Sequence, residues 1–143
     1  MAYLIKRADG GVSFCYETSV TAEQFMAKWS ASADPAWLPA TVEVVENSSI
    51  PKKDEFRNAL GHDLNFDMAK CRGLHIERMR NARTAKLEQL DIDYMRADEL
   101  GDTAEKKRIA DEKQELRDVT SLPAIASAAT PEELRAVWPE CLR

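Results

Sequence analysis

Between Met68 and Leu100 the chain has no proline and a single glycine, Gly73. Ile76, Met79, Leu87, Leu90, Tyr94 and Ala97 recur near one face at helical spacing. The stretch therefore predicts one helix about 50 Å long. A helix of that length gains most of its stability from an apolar face packed on something else, so the rest of the chain must supply a cover. Gly101 is a favoured residue just past a helix end. Asp102 can cap the next helix, and Glu105 sits three residues later to complete a capping-box-like pair. The next helix turns Ile109, Leu116 and Val119 inward and ends before Pro123. At about 25 Å it reaches along half of its partner. A last short helix is predicted from Thr130-Pro131, with Glu133 as reciprocal cap residue and Leu134, Val137 and Trp138 as its apolar face; Pro139 ends it.

Charge sets the direction of pairing. Lys70, Arg72, Arg78, Arg80, Arg83 and Lys86 make the first half of the long helix basic, and Asp91, Asp93, Asp98 and Glu99 make its second half acidic. This polarity opposes the helix dipole. An antiparallel partner offsets the mismatch, because folding at Gly101 brings Lys106, Lys107 and Arg108 beside the acidic end and Asp118 toward Arg83. Each exposed pair is worth at most about 1 kcal/mol, so the ion pairs set register and the apolar seam carries stability.

The N-terminal third reads differently. Tyr3–Ile5 is strand-like, Asp9-Gly10-Gly11 supplies a turn, and Val12, Phe14 and Tyr16 alternate with Ser13 and Cys15 as on a strand with one buried face. Thr21 caps a helix with Phe25, Met26 and Trp29 on one side, Asp34-Pro35 breaks it, and the β-branched run from Thr41 is a third strand. Pro51 and Gly61 punctuate the next stretch, and Asp67 is a cap for the long helix. The fold class is α+β. Residues 1–50 form a small α+β unit, 51–67 a junction, and 68–143 a helical hairpin with a C-terminal helix.

The chemistry-bearing residues do not assemble into a catalytic pattern. Cys71 and His75 are four apart, so both can face one metal ion, with Asp63 or Asp67 adding oxygen. No second Cys/His pair exists to complete a zinc set, so no metal and no cofactor is expected. The acidic residues at 91, 93, 98, 99 and 102 lack the spacing and central glycine of a calcium loop. No serine lies in a nucleophile-elbow setting. The net charge of −5 argues against a general nucleic-acid binder. The basic run from Lys70 to Lys86 also lacks the interleaved aromatics used for single strands. Three cysteines in no zinc spacing, no apolar N-terminal run and no span of about 20 apolar residues predict a soluble protein of a reducing cytoplasm.

One resemblance sharpens this picture. "RMRNARTAKLEQLDIDYMRADELGD", then "IADEKQELRDV", then "TPEELRAVWP" is similar to the C-terminal region of small bacteriophage tail proteins of the tail assembly chaperone-like group. The features are an arginine-rich helix with a Leu90-Asp91 step, a turn, Lys113-Gln114-Glu115-Leu116-Arg117-Asp118, and Trp138-Pro139, spanning roughly residues 70–140. The resemblance implies a non-catalytic tail-associated protein that binds a fibre, baseplate or tube component, as a chaperone in the host cytoplasm or as a piece of the virion tail. A second copy of the chain is a further partner to consider. The competing class is a regulatory nucleic-acid binder using the basic half of the long helix. Because the second helix is too short to cover the first, Arg72, Leu74, Ile76, Arg78, Met79 and Arg80 are the expected partner-binding surface, apolar residues rimmed by arginine. The alternative is that the β unit covers this stretch.

Overall fold

The computed structural model describes residues 1–16 and 19–143. Glu17 and Thr18, at the end of the expected second strand, lie outside the described residues. The fold is α+β, and the chain divides into two compact units, Met1–Lys70 and Cys71–Arg143. The expected junction thus belongs with the first unit. Its residues Phe56, Ala59 and Leu60 are buried, which a linker's would not be.

The first unit is built on an antiparallel sheet of β1 (Ala2–Lys6), β2 (Val12–Cys15) and β3 (Thr41–Val45), in the order β2-β1-β3. β1 is central, and its Ala2, Tyr3, Leu4 and Ile5 are all buried, so it reads as an unbroken apolar run. Tyr3 lies opposite Cys15 on one side and Val44 on the other. The turn closes with Gly10 at φ +81°, a conformation glycine adopts without steric cost. The expected alternation on β2 is blunted: all four of its residues are half-buried, and Tyr16 is exposed. An edge strand of a small sheet has too little cover to separate two faces.

Helix α1 (Ala22–Ser32) starts with a full capping box between Thr21 and Gln24. Phe25 stacks on Tyr3 with ring centroids 5.1 Å apart, and Trp29 stacks on Trp37 at 6.2 Å. The expected apolar face is therefore engaged, yet none of its side chains is fully buried.

Helix α2 (Met68–Glu99) is the long helix. Asp67 caps it, accepting from the amides of Ala69 (2.9 Å) and Lys70 (3.3 Å). At its far end the Gly101 amide bonds the Asp98 carbonyl (3.0 Å) and the Asp102 amide bonds the Ala97 carbonyl (2.9 Å), with Gly101 at φ +68°. This is a Schellman stop, which satisfies two orphan carbonyls of the last turn. Helix α3 (Thr103–Asp118) begins at once, with the Asp102 carboxylate accepting from the Glu105 amide (3.0 Å). The reciprocal half of the predicted box is not formed. The Asp102 amide is already held by Ala97, and the Glu105 carboxylate grips Arg108 instead.

The hairpin seam holds Leu90 and Ala97 from α2 and Ile109 and Leu116 from α3, each pair a heptad apart. Burying each leucine or isoleucine is worth about 1.5–3 kcal/mol, against at most about 1 kcal/mol for an exposed ion pair. The flanking pairs fix register. Lys106 pairs with Asp98 and Lys113 with Asp91, each couple symmetric about Asp102, and both ammonium groups lie over the Tyr94 ring, 5.5 and 5.4 Å from its centroid. Two expected partners differ. Arg108 pairs along its own helix with Glu105 and Glu112, and Asp118 accepts from Gln114 rather than from Arg83.

Beyond α3 the C-terminal segment is more finely divided than a single short helix. A 3-10 turn (Val119–Ser121) leads into α4 (Pro123–Ser127), α5 (Pro131–Ala136) and a last 3-10 turn (Glu140–Leu142). The sequence signals did not reveal α4, and Trp138, expected within α5, lies two residues past its end. Thr130 caps α5 as expected, while Glu133 reaches back to the amide of Ala129 (2.8 Å), one residue before the cap.

Candidate partner-binding surface

The basic half of α2 has a structural role that its charge pattern did not reveal. Each element of the C-terminal half ends with carbonyl groups that lack intrahelical partners. Arg83 donates to the carbonyls of Leu116 (3.2 Å) and Arg117 (2.8 Å), at the end of α3. Arg72 donates to Ile125 (3.2 Å) and Ala128 (2.8 Å), at the end of α4. His75 Nε2 lies 2.8 Å from the Val137 carbonyl, just past α5, so this nitrogen carries the proton. Lys86 Nζ donates to the carbonyl of Cys141 (2.8 Å) and to Arg143 O (2.6 Å), at the final 3-10 turn. Four side chains from one helix thus satisfy four successive C-terminal ends. Cations placed there also oppose the partial negative charge that a helix accumulates at its C-terminus.

This arrangement redistributes the six residues expected to form the partner surface. Met79 is 0 % exposed and belongs to the interior, which corrects its assignment to an open flank. Arg72 is half-buried and bound to carbonyls, so its guanidinium serves the fold. Leu74 and Ile76 are half-buried. Arg78 and Arg80 are exposed, with the Arg78 guanidinium 5.4 Å above the Trp138 ring. Trp138 also meets His75 edge-on at 5.7 Å. The physical reason for the shift is the C-terminal segment. It continues along the stretch that α3 leaves uncovered, so α3's short length did not by itself expose the flank.

In the second unit the exposed large apolar side chains lie at the other end of α2. Ile92 is 45 % exposed, Met95 63 % and Leu100 84 %. Ile92 and Met95 are three apart and so neighbours on one face. Glu88, Asp91, Arg96 and Glu99, all exposed, flank them. Leu90, Tyr94 and Ala97 hold the opposite side of the helix against α3, so the outer face is presented by a braced helix. Its signal was present in the sequence as apolar residues out of phase with the seam.

Cys71 and His75 are both fully buried, and His75 uses Nε2 on a carbonyl. Among the described residues no three His, Cys, Asp or Glu side chains converge as a metal set. Cys141 is half-buried, and burial followed by the nearby Glu115 charge pushes its thiol above the ordinary cysteine value, which disfavours the reactive thiolate. No helix is long and apolar enough to cross a membrane among the described residues. No family model, curated protein or solved structure matches this chain.

Proposed function

We propose that this chain is a non-catalytic, bacteriophage tail-associated protein that binds another tail component through the outer face of α2 near the hairpin turn. It acts as an assembly chaperone or as a built-in piece of the baseplate or fibre attachment. The observation that carries the reading is the exposure of Ile92 and Met95 on a helix whose other side is engaged, with Leu100 exposed just past its end. Large apolar side chains with a charged rim are the anatomy of a protein interface. The exposed carboxylates Glu88 and Glu99 beside the patch, with Arg96 among them, suit a partner surface that sets Arg or Lys among its apolar residues. The similarity of residues 70–140 to tail proteins supplies the class of partner. The competing nucleic-acid reading requires an open basic half, whereas three of its six cations, Arg72, Arg83 and Lys86, direct donors to backbone carbonyls.

Co-expression of the tagged chain with the genes of a tail cluster tests this. The wild type should co-purify a tail protein, and Ile92→Glu with Met95→Glu should weaken that capture at least about thirtyfold, the effect of losing an interface hot spot. Arg78→Glu with Arg80→Glu tests the basic flank in parallel. Recovery of no tail protein, or capture unchanged by the outer-face variants, overturns the reading. Mass spectrometry of purified particles separates a transient chaperone from a built-in component.

A further inference from the structure

The first unit carries a second surface of different chemistry. A depression of about 550 Å³ is lined by Arg7, Ser13, Phe14, Tyr16, Lys53 and Arg57, among others. None of the described residues lining it is acidic. Its two guanidinium groups are held by aromatic faces. Arg57 lies over Phe14, 4.5 Å from the ring centroid, and donates to the Tyr16 hydroxyl at 3.3 Å. Both of these partners are neutral. Arg7 lies over Trp37 at 4.6 Å, donates to Ser13 Oγ at 3.4 Å, and pairs through Nε with Asp9 at 3.1 Å. The Arg7 guanidinium also lies close against Gly11: a Cβ built there would be 2.0 Å from its terminal nitrogen. The turn thus has a bare backbone where the guanidinium rests.

From this we infer that the depression is a binding site for a phosphate group, of the phosphomonoester class borne by small organic molecules. The described lining residues include three cations, Arg7, Lys53 and Arg57, and Arg7 shares its charge with Asp9. Such a cationic lining suits a phosphomonoester dianion, which carries more charge than a carboxylate. Planar guanidinium groups offer paired donors to such an oxyanion, and the aromatic stacks fix them before the ligand arrives, which lowers the ordering cost of binding. The space exceeds that of a phosphate alone, and Phe14 and Tyr16 supply a wall for the organic part. The site needs no catalytic group, and it is independent of the outer-face surface of α2.

The test is an NMR titration of the full chain with inorganic phosphate and with phenyl phosphate, read at the arginine Nε–H signals and the backbone. Saturable shifts at Arg7, Ser13 and Arg57, with phenyl phosphate binding more tightly, are expected. Arg57→Gln should weaken binding about tenfold, the equivalent of one charge-assisted hydrogen bond. Gly11→Ala should do the same by displacing the Arg7 guanidinium. It adds no charge, and the backbone at Gly11 is not in the left-handed region. Arg80→Gln, on α2 of the second unit, should have no effect. The inference is overturned if the wild type shows no saturable shift, if Gly11→Ala binds as the wild type does, or if Arg80→Gln weakens binding as much as Arg57→Gln. Shifts spread evenly over all lysines and arginines would overturn it too.

Discussion

Removing the Arg72 guanidinium should release the C-terminal segment from α2 while sparing the hairpin. Arg72 gives two charge-assisted bonds, 3.2 Å to the Ile125 carbonyl and 2.8 Å to the Ala128 carbonyl, and both acceptor residues are buried. Such bonds are worth about 1.5–3 kcal/mol each when the acceptor is otherwise left unsatisfied. Arg72 is only half-buried, so water replaces part of the loss, and Arg72→Met should cost about 2–3 kcal/mol in urea unfolding. Arg72→Lys keeps the charge but reaches the two carbonyls with a point donor rather than a fork, and should lose about half as much. Hydrogen exchange locates the effect. The amides of Ile125 and Ala128, bonded to Leu122 and Ala124, should exchange roughly thirty- to a hundredfold faster, while α3 amides near Ile109 keep their protection. A cost under about 0.5 kcal/mol, or faster exchange spread equally over α3, would show that Arg72 does not hold the segment.

At the hairpin turn, Asp102→Ala removes the cap on the Glu105 amide and should destabilise the protein by about 1 kcal/mol, measured by thermal or urea unfolding. A larger loss is not expected, because the Schellman bonds of Gly101 and Asp102 are made by the backbone and survive. In the first unit, the Asp9 carboxyl is held below its ordinary value by the Gly11 amide and then by Arg7. Because its folded value is depressed, its stabilising contribution is present above the ordinary aspartate range and lost as pH falls through the lowered value. An NMR titration should find the Asp9 midpoint below that of an exposed aspartate, and Asp9→Asn should flatten this part of the acid unfolding curve.

The hairpin was legible because its signals are local. Gly101, the Asp102 cap and the period of Leu90, Ala97, Ile109 and Leu116 need only neighbours on the same helix to be understood. The sheet was legible for the same reason, from a β-branched run and a glycine turn. The role of Arg72, His75, Arg83 and Lys86 was hidden because each acts on a carbonyl more than thirty residues away, and a carbonyl has no side-chain letter in the sequence. Their spacing along one face of α2, together with three prolines that cut the C-terminal segment into short elements, was the available clue. The exposed outer face of Ile92 and Met95 was visible as a phase mismatch, but the sequence alone could not distinguish a free surface from one covered by a later segment.

The claim that the outer face of α2 holds a tail protein is tested most directly by a photo-crosslinking residue placed at Met95, 63 % exposed, during tail assembly. Mass spectrometry of the crosslinked product should identify a peptide from a tail component, with apolar residues beside Arg or Lys, and the same probe at Ala104 on the neighbouring helix should yield much less. Crosslinks to nucleic acid, to a second copy of this chain alone, or to nothing at Met95 while tail assembly proceeds would contradict the account.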